Sequence, residues 1–268
     1  DGTDGQSIRI VAPGASGSAN IMSSPCTPNF ADGLFIKVIH NNGRPLQPLQ
    51  LAELHSISIL QRAGLTGNQN IPLNVTSILG WMADDSSNTI QYIGSQFSDL
   101  VRHTFMLHQH QTFCLSEMFR QQGGPFAIVF SERLNISWKT GDAGQPGYFN
   151  LIRPGTEDEP MPFRSLKEIL QVLLQVSIGI QQLNARNLVH NDLKPDNIGA
   201  VLHQDKIDYK LIDLGLVSEG GCNAGGTPGY NDAFEVAPHL NPANQSIAEG
   251  GAKKDVYSLG KILLEFLQ

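Results

Sequence analysis

Between Val189 and Gly215 the chain reads Val-His-Asn-Asp-Leu-Lys-Pro-Asp-Asn-Ile, then a polar turn, then Lys-Leu-Ile-Asp-Leu-Gly. Asp192, Asn197 and Asp213 thereby set two acidic centres and one amide on adjoining loops, between apolar strand-like runs at 197–202 and 209–212. Loops of this kind can face one bound nucleotide. A hard cation such as Mg2+ takes oxygen ligands, keeps several waters, and is held by one or two carboxylates plus the phosphates of its substrate. One Asp and one Asn therefore suffice. Taken singly, Asp and Asn between strands are ordinary turn formers. The spacing of the whole set is what makes the stretch a candidate site.

The combination His190-x-Asp192-x-Lys194-x-x-Asn197, followed by Asp213-x-Gly215, resembles the eukaryotic-type protein-kinase family. The resemblance implies a divergent Ser/Thr kinase that transfers a phosphoryl group from ATP, with Mg2+, to hydroxyls of a protein substrate. It gives Asp192 the part of accepting the hydroxyl proton and Lys194 that of neutralising charge on the transferring group, with Asn197 and Asp213 as metal ligands. One position departs from the pattern. Where the family usually has Arg before the catalytic Asp, this chain has Asn191. That Arg reads a phosphate on the activation loop, so its replacement implies activity not switched in that way.

The elements that must position these loops come earlier in the chain. Residues 8–12 alternate like a strand and run into a small-residue turn, Gly14-x-Ser16-x-x-Ala19-x-Ile21, where the resemblance puts a phosphate-covering loop. Only the first of the family's three glycines is kept. Ser and Ala still let backbone amides approach a phosphate. Gly33–Ile39 is an apolar strand interrupted by Lys37, a charge that needs a partner. Pro48–Ala63 has helical spacing through Leu51, Leu54, Ile57 or Ile59, and Leu60, and carries one acid, Glu53. By resemblance Lys37 holds the α- and β-phosphates and pairs with Glu53.

Asn74–Met82 and Pro125–Phe130 read as the next two buried strands, separated by a long insert at 83–124 with a helical stretch at Phe97–Met118. His103, His108 and His110 fall there without a recognised ligand spacing and read as loop histidines. The strand ending at Phe130 leads to Glu132 and Leu134, where the family places its hinge and where adenine would bond backbone. Residues 137–162, rich in Gly, Pro and acids, read as a surface loop. Ser165–Asn187 is the clearest amphipathic helix, with Leu166, Ile169, Leu170, Leu173, Val176, Ile180 and Leu183 at helical spacing. After Asp213, a glycine-rich run and Thr227-Pro228-Gly229-Tyr230 resemble an activation segment, followed by Ala233-Phe234-Glu235. Lys254–Gly260 opens an apolar helix at which the chain stops, and Asp255 on it is expected to accept backbone amides of the loop around Asp192.

The fold expected is α+β and bilobal: a small lobe at 1–134 with a sheet and one helix, and a mostly helical large lobe at 135–268 that stops after its central helix. A chain of 268 residues, 40% hydrophobic, can bury such a core. Its net charge of −7 argues against nucleic acid or an anionic membrane as the main partner. Cys26, Cys114 and Cys222 are too scattered for a zinc site or a disulfide framework, which leaves room for one bridge at most. No membrane span or signal peptide is read. Low Lys and Arg with abundant Gly and Ser is similar to secreted parasite kinases, and sequons at Asn74, Asn135 and Asn244 would allow a secretory route, so the location stays open between cytoplasm and secretion. The partners expected are a protein substrate and a regulatory protein, and the activation loop is ordered either by that partner or by the insert at 83–124. Two other readings stand beside the kinase. A nucleotide-binding pseudokinase scaffold would fit the degraded glycine loop and Asn191. A small-molecule phosphotransferase would share the His-x-Asp and Asn spacing, though such enzymes tend to lack Lys194 and the Gly-Thr-Pro-Gly-Tyr segment.

Overall fold

Strand-forming residues dominate the first part of the chain, and they pair into one antiparallel sheet. The computed structural model describes residues 9–11, 19–22, 34–40, 44, 46–65, 74–84, 91–92, 126–132, 134–142, 145–152, 159–203, 206–220, 226–230 and 247–268. Within them β1 (Arg9–Val11), β2 (Ala19–Met22), β3 (Leu34–His40), β4 (Ile78–Asp84), β5 (Gln91–Tyr92) and β6 (Phe126–Glu132) form a six-stranded sheet in the order β1-β2-β3-β6-β4-β5. The β-branched and aromatic runs of β3 and β6 take the central places, paired from Leu34↔Glu132 to His40↔Phe126, where Ile39 and Ala127 are fully buried.

Helix α1 (Pro48–Arg62) follows β3. It opens on a proline, whose missing N–H costs nothing in a first turn, and stops before Gly64, which has φ +70. No atom lies within 4 Å of a Cβ built there, so conformation and not space calls for glycine. The buried face is only in part the apolar stripe expected. Ile57, Ile59 and Leu60 are buried, but Leu51 is 53% exposed, and Gln50, Glu53 and Ser56 are buried beside them. Three polar residues thus sit on the covered face of this helix.

The chain divides into two units, Asp1–His55, Gly64–Ile71 and Ser77–Arg133 in the first, and Ser56–Ala63, Pro72–Thr76 and Leu134–Gln268 in the second. In the second, β7 (Ile136–Lys139), β8 (Tyr148–Leu151), β9 (Glu159–Met161), β11 (Ile198–His203) and β12 (Lys206–Leu211) make a five-stranded antiparallel sheet, ordered β12-β11-β7-β8-β9. Helix α2 (Leu166–Asn184), a short pair of β10 (Leu188–Val189) with β13 (Ser218–Glu219), and helix α3 (Ile247–Phe266) complete the unit as described. None of the helices among the described residues is long and apolar enough to cross a membrane.

The described residues of 137–162 therefore hold strands and not a surface loop alone. Ile136, Trp138, Phe149 and Leu151 alternate inward on β7 and β8 and are buried. Trp138 and Phe149 meet edge-on at 5.1 Å, and Phe266 at the end of α3 comes to 4.9 Å from Trp138. Gly147 reads in sequence as a loop residue but serves this packing, since a Cβ there would lie 2.2 Å from Cζ2 of Trp138. The second unit thus carries a five-stranded sheet as well as helices.

Ser165 caps α2 by accepting from the N–H of Glu168 at 3.3 Å, while the Glu168 carboxylate accepts from Arg164 N at 2.6 Å. Ile169, Leu173, Val176, Ile180 and Leu183 are buried as their spacing predicts, but Leu166 and Leu170 are 57% and 52% exposed. The segment at Asn74 also differs from the strand expected. Val75 bridges Leu211, Thr76 N donates to Leu211 O at 2.8 Å, and β4 begins only at Ile78. Asn74 is buried and its amide nitrogen donates to Tyr209 O at 2.9 Å, so in the folded chain this sequon is a structural clasp and not a sugar acceptor. Gly14 and Ser16, the Phe97–Met118 stretch with its histidines, the three cysteines, Ala233–Glu235 and Asn244 lie outside the described residues.

Candidate active site

Helix α2 delivers the chain through Asn187, at φ 57, into β10 and the loop that follows. One buried side chain anchors the start of that loop. Asp255 of α3, fully buried, accepts from His190 N at 2.8 Å and Asn191 N at 3.0 Å. The expectation for Asp255 is met. Burial raises its pKa from the ordinary 3.8, against the opposing pull of His190, the two N–H bonds and Lys254. A raised carboxyl pKa means the native state holds more protons than the unfolded one between the ordinary and the raised value. The stability this contributes is complete below the ordinary value and is lost as pH rises through the raised one. Asp255→Asn should flatten that slope in urea midpoints measured against pH. It should also lower stability at neutral pH by roughly 1–3 kcal/mol, because one buried N–H then faces an amide donor.

His190 is buried, with Nδ1 within 3.3 Å of Asp192 N and Nε2 3.0 Å from Ile212 O. A carbonyl oxygen only accepts, so Nε2 donates to it and His190 ties the loop to the residue before Asp213. Ile212 N donates to Asn197 O at 3.0 Å, a second tie. The two candidate metal ligands thus sit on backbone segments bonded directly to each other.

Asp192 and Asn197 are buried. The Asn197 amide nitrogen donates to Asp192 O at 2.7 Å and to Oδ2 at 3.0 Å, which leaves the amide oxygen outside both bonds. Thr227 Oγ1 donates to Asp192 Oδ1 at 2.7 Å and accepts from Lys194 Nζ at 2.9 Å, with Nζ 3.6 Å from Asp192 Oδ2. An aliphatic hydroxyl is thereby held between a carboxylate and an ammonium. Asp213 is exposed and left-handed, at φ 52 and ψ 61, at the head of a one-turn 3-10 helix, Leu214–Leu216. Among the described residues no group of three His, Cys, Asp or Glu could hold a metal by itself. The Asn197 amide oxygen and the Asp213 carboxylate are hard donors that fit a divalent ion sharing its shell with phosphates and water.

In the first unit Lys37 of β3 is ion-paired with Glu53 of α1, their side chains 18% and 10% exposed. Ala19 and Ile21 lie on β2, opposite Val38 and Ile36 of β3. The Glu132 carboxylate accepts from Ser77 N at 2.7 Å and its N–H donates to Ser77 O at 3.1 Å, so this side chain fastens β6 to the start of β4. Leu134, in the second unit, packs so closely on Gly199 that a Cβ there would fall 2.4 Å from Leu134 Cδ1. Sequence reasoning missed Ser56 and the hydrogen bonds of Asn191. The one available sign of Ser56 was its place three residues after Glu53, on the same helix face.

The family described as protein kinase domain matches residues 141–268. The serine/threonine-protein kinase nekl-2 of Caenorhabditis elegans is 34% identical over 110 residues, 38% of this chain and 27% of that protein. The serine/threonine-protein kinase PknL of Mycobacterium tuberculosis is 32% identical over 157 residues, 56% of this chain and 37% of that protein. The chain thus spans well under half the length of these curated relatives.

Proposed function

We infer that this chain, a member of the eukaryotic-type protein kinase family, transfers the terminal phosphoryl group of ATP to Ser or Thr hydroxyls of protein substrates. The observation that carries the reading is the Thr227 hydroxyl held by the Asp192 carboxylate at 2.7 Å and the Lys194 ammonium at 2.9 Å. A substrate hydroxyl has the same chemistry. In this reading Asp192 orients that hydroxyl and accepts its proton, and Lys194 offsets charge on the phosphoryl oxygens as they move. Asn197 and Asp213 are the residues that would hold the divalent ion, with Mg2+ the best match to two hard oxygens. The bound ion would neutralise charge on the nucleotide's phosphates.

Lys37, steadied by Glu53, would take the α- and β-phosphates, and the backbone around Gly14, Ser16, Ala19 and Ile21 would cover them. Adenine would bond backbone at Glu132 and Leu134. The relatives named as serine/threonine kinases support Ser and Thr over Tyr. A protein substrate is proposed, with a regulatory protein as a further partner.

The test is incubation with γ-labelled ATP, Mg2+ and a Ser/Thr/Tyr peptide library, with the labelled amino acids identified. Label on Ser or Thr is expected, lost in Asp192→Ala and kept after phosphatase treatment of the enzyme, because Asn191 lacks the charge to read an activation-loop phosphate. ATP binding without transfer would favour the scaffold reading. Loss of activity on phosphatase treatment, restored by rephosphorylation, would overturn the claim about Asn191.

A further inference from the structure

The segment after Asp213 has little regular structure to hold it. Its 3-10 turn closes on one bond, Val217 N to Leu214 O at 3.2 Å, and β13 adds two paired residues. Side chains supply the other donors. Ser56 Oγ, buried on α1, reaches Gly215 O at 2.8 Å and Val217 O at 2.9 Å. The Asn191 amide nitrogen reaches Leu216 O at 2.8 Å and Ser218 Oγ at 2.9 Å, with Val189 O at 3.1 Å. With His190 on Ile212 O, the carbonyls on both sides of Asp213 are gripped by side chains from α1 and from the Asp192 loop. Arg62 also pairs with Glu219 at 3.2 Å, but both side chains are more than half exposed, 56% and 52%, so solvent and salt leave that pair little to contribute.

We propose that Ser56 and Asn191 are positioning residues that clamp residues 215–218, and so hold Asp213 in its left-handed, metal-presenting conformation without any modification of the chain. The proposal rests on the reading of Asp213 as a metal ligand. Asn191 suits the task doubly. At φ 69 it occupies a region that Asn tolerates better than most residues, and its amide nitrogen shares two hydrogens among two carbonyls and one hydroxyl. Ser56 has one hydroxyl proton for two carbonyls, so it centres the turn between them. Both groups stay neutral across physiological pH. The loop's geometry is then constant, set by sequence and not by a switch.

Hydrogen exchange tests the clamp directly. It is run on the full chain as wild type, Ser56→Ala, Ser56→Thr and Asn191→Ala, alongside calorimetric titration of ATP at a series of Mg2+ concentrations. Exchange of the 214–220 amides should quicken about five- to tenfold in Ser56→Ala and Asn191→Ala, with α2 unchanged and Ser56→Thr close to wild type. The Mg2+ concentration for half-maximal ATP binding should rise by a similar factor, while metal-free ATP binding stays the same. Unchanged exchange at 214–220 in both Ala variants would overturn the proposal. So would equal quickening in α2, which would mean general loosening. A wild type that binds no ATP at any Mg2+ concentration would sink the functional reading instead, and the exchange result would still decide the clamp.

Discussion

Asp213→Asn is expected to lower phosphoryl transfer by about 10³-fold, since a metal ion supplies several kcal/mol of charge stabilisation and each 1.4 kcal/mol is a factor of ten. Asn is the right probe because position 213 is left-handed, at φ 52, and Asn enters that region at little cost, whereas Ala would add backbone strain to the loss of charge. The variant should therefore keep its fold and its thermal midpoint. The checks are metal-dependent ATP binding by calorimetry and initial rates against Mg2+. Wild-type rates in Asp213→Asn would remove Asp213 from the metal site.

Asp192→Asn should reduce kcat by about 10²–10⁴-fold, the usual worth of a positioned general base, and leave ATP affinity as it was. The amide can still accept from Asn197 through one oxygen. It has neither the charge that holds Lys194 Nζ at 3.6 Å nor the basicity to take a proton. Thr227→Val should be milder, because it removes the hydroxyl between the two groups and leaves both in place. Rates measured at saturating ATP and varied peptide separate these effects. A fall in ATP affinity matching the fall in rate would argue that Asp192 serves nucleotide binding and not proton transfer.

Much of this arrangement was legible in the chain because it is written locally. His190, Asp192, Lys194 and Asn197 lie within one loop whose spacing fixes their mutual reach, and α2 announces itself through a 3.6-residue period. Lys37 could be read because a charge in an apolar strand demands a partner, and Glu53 was the one acid on the next helix. What escaped depends on residues far apart in sequence. Ser56 and Gly215 are hydrogen-bonded across 159 positions, and no property of a lone serine on a helix foretells that. The polar residues on the buried face of α1 likewise run against its hydropathy, because their partners are backbone groups and a lysine. The sheet strands β7 and β8 were hidden by Gly and Pro between them, whose weight in the composition masked a two-residue alternation of large apolar side chains.

That aromatic packing has an optical consequence. The chain has two tryptophans, Trp81 on β4 of the first unit and Trp138 on β7 of the second. Trp138 is buried at 4.9 Å from Phe266, near the end of α3, so its emission reports whether that helix is seated. In a Trp81→Phe variant the remaining fluorescence comes from the second unit alone, and a red shift on titrating denaturant would record exposure of the core behind the Asp192 loop. Comparing it with Trp138→Phe, whose remaining signal belongs to the first unit, would measure whether the two units melt together or one after the other.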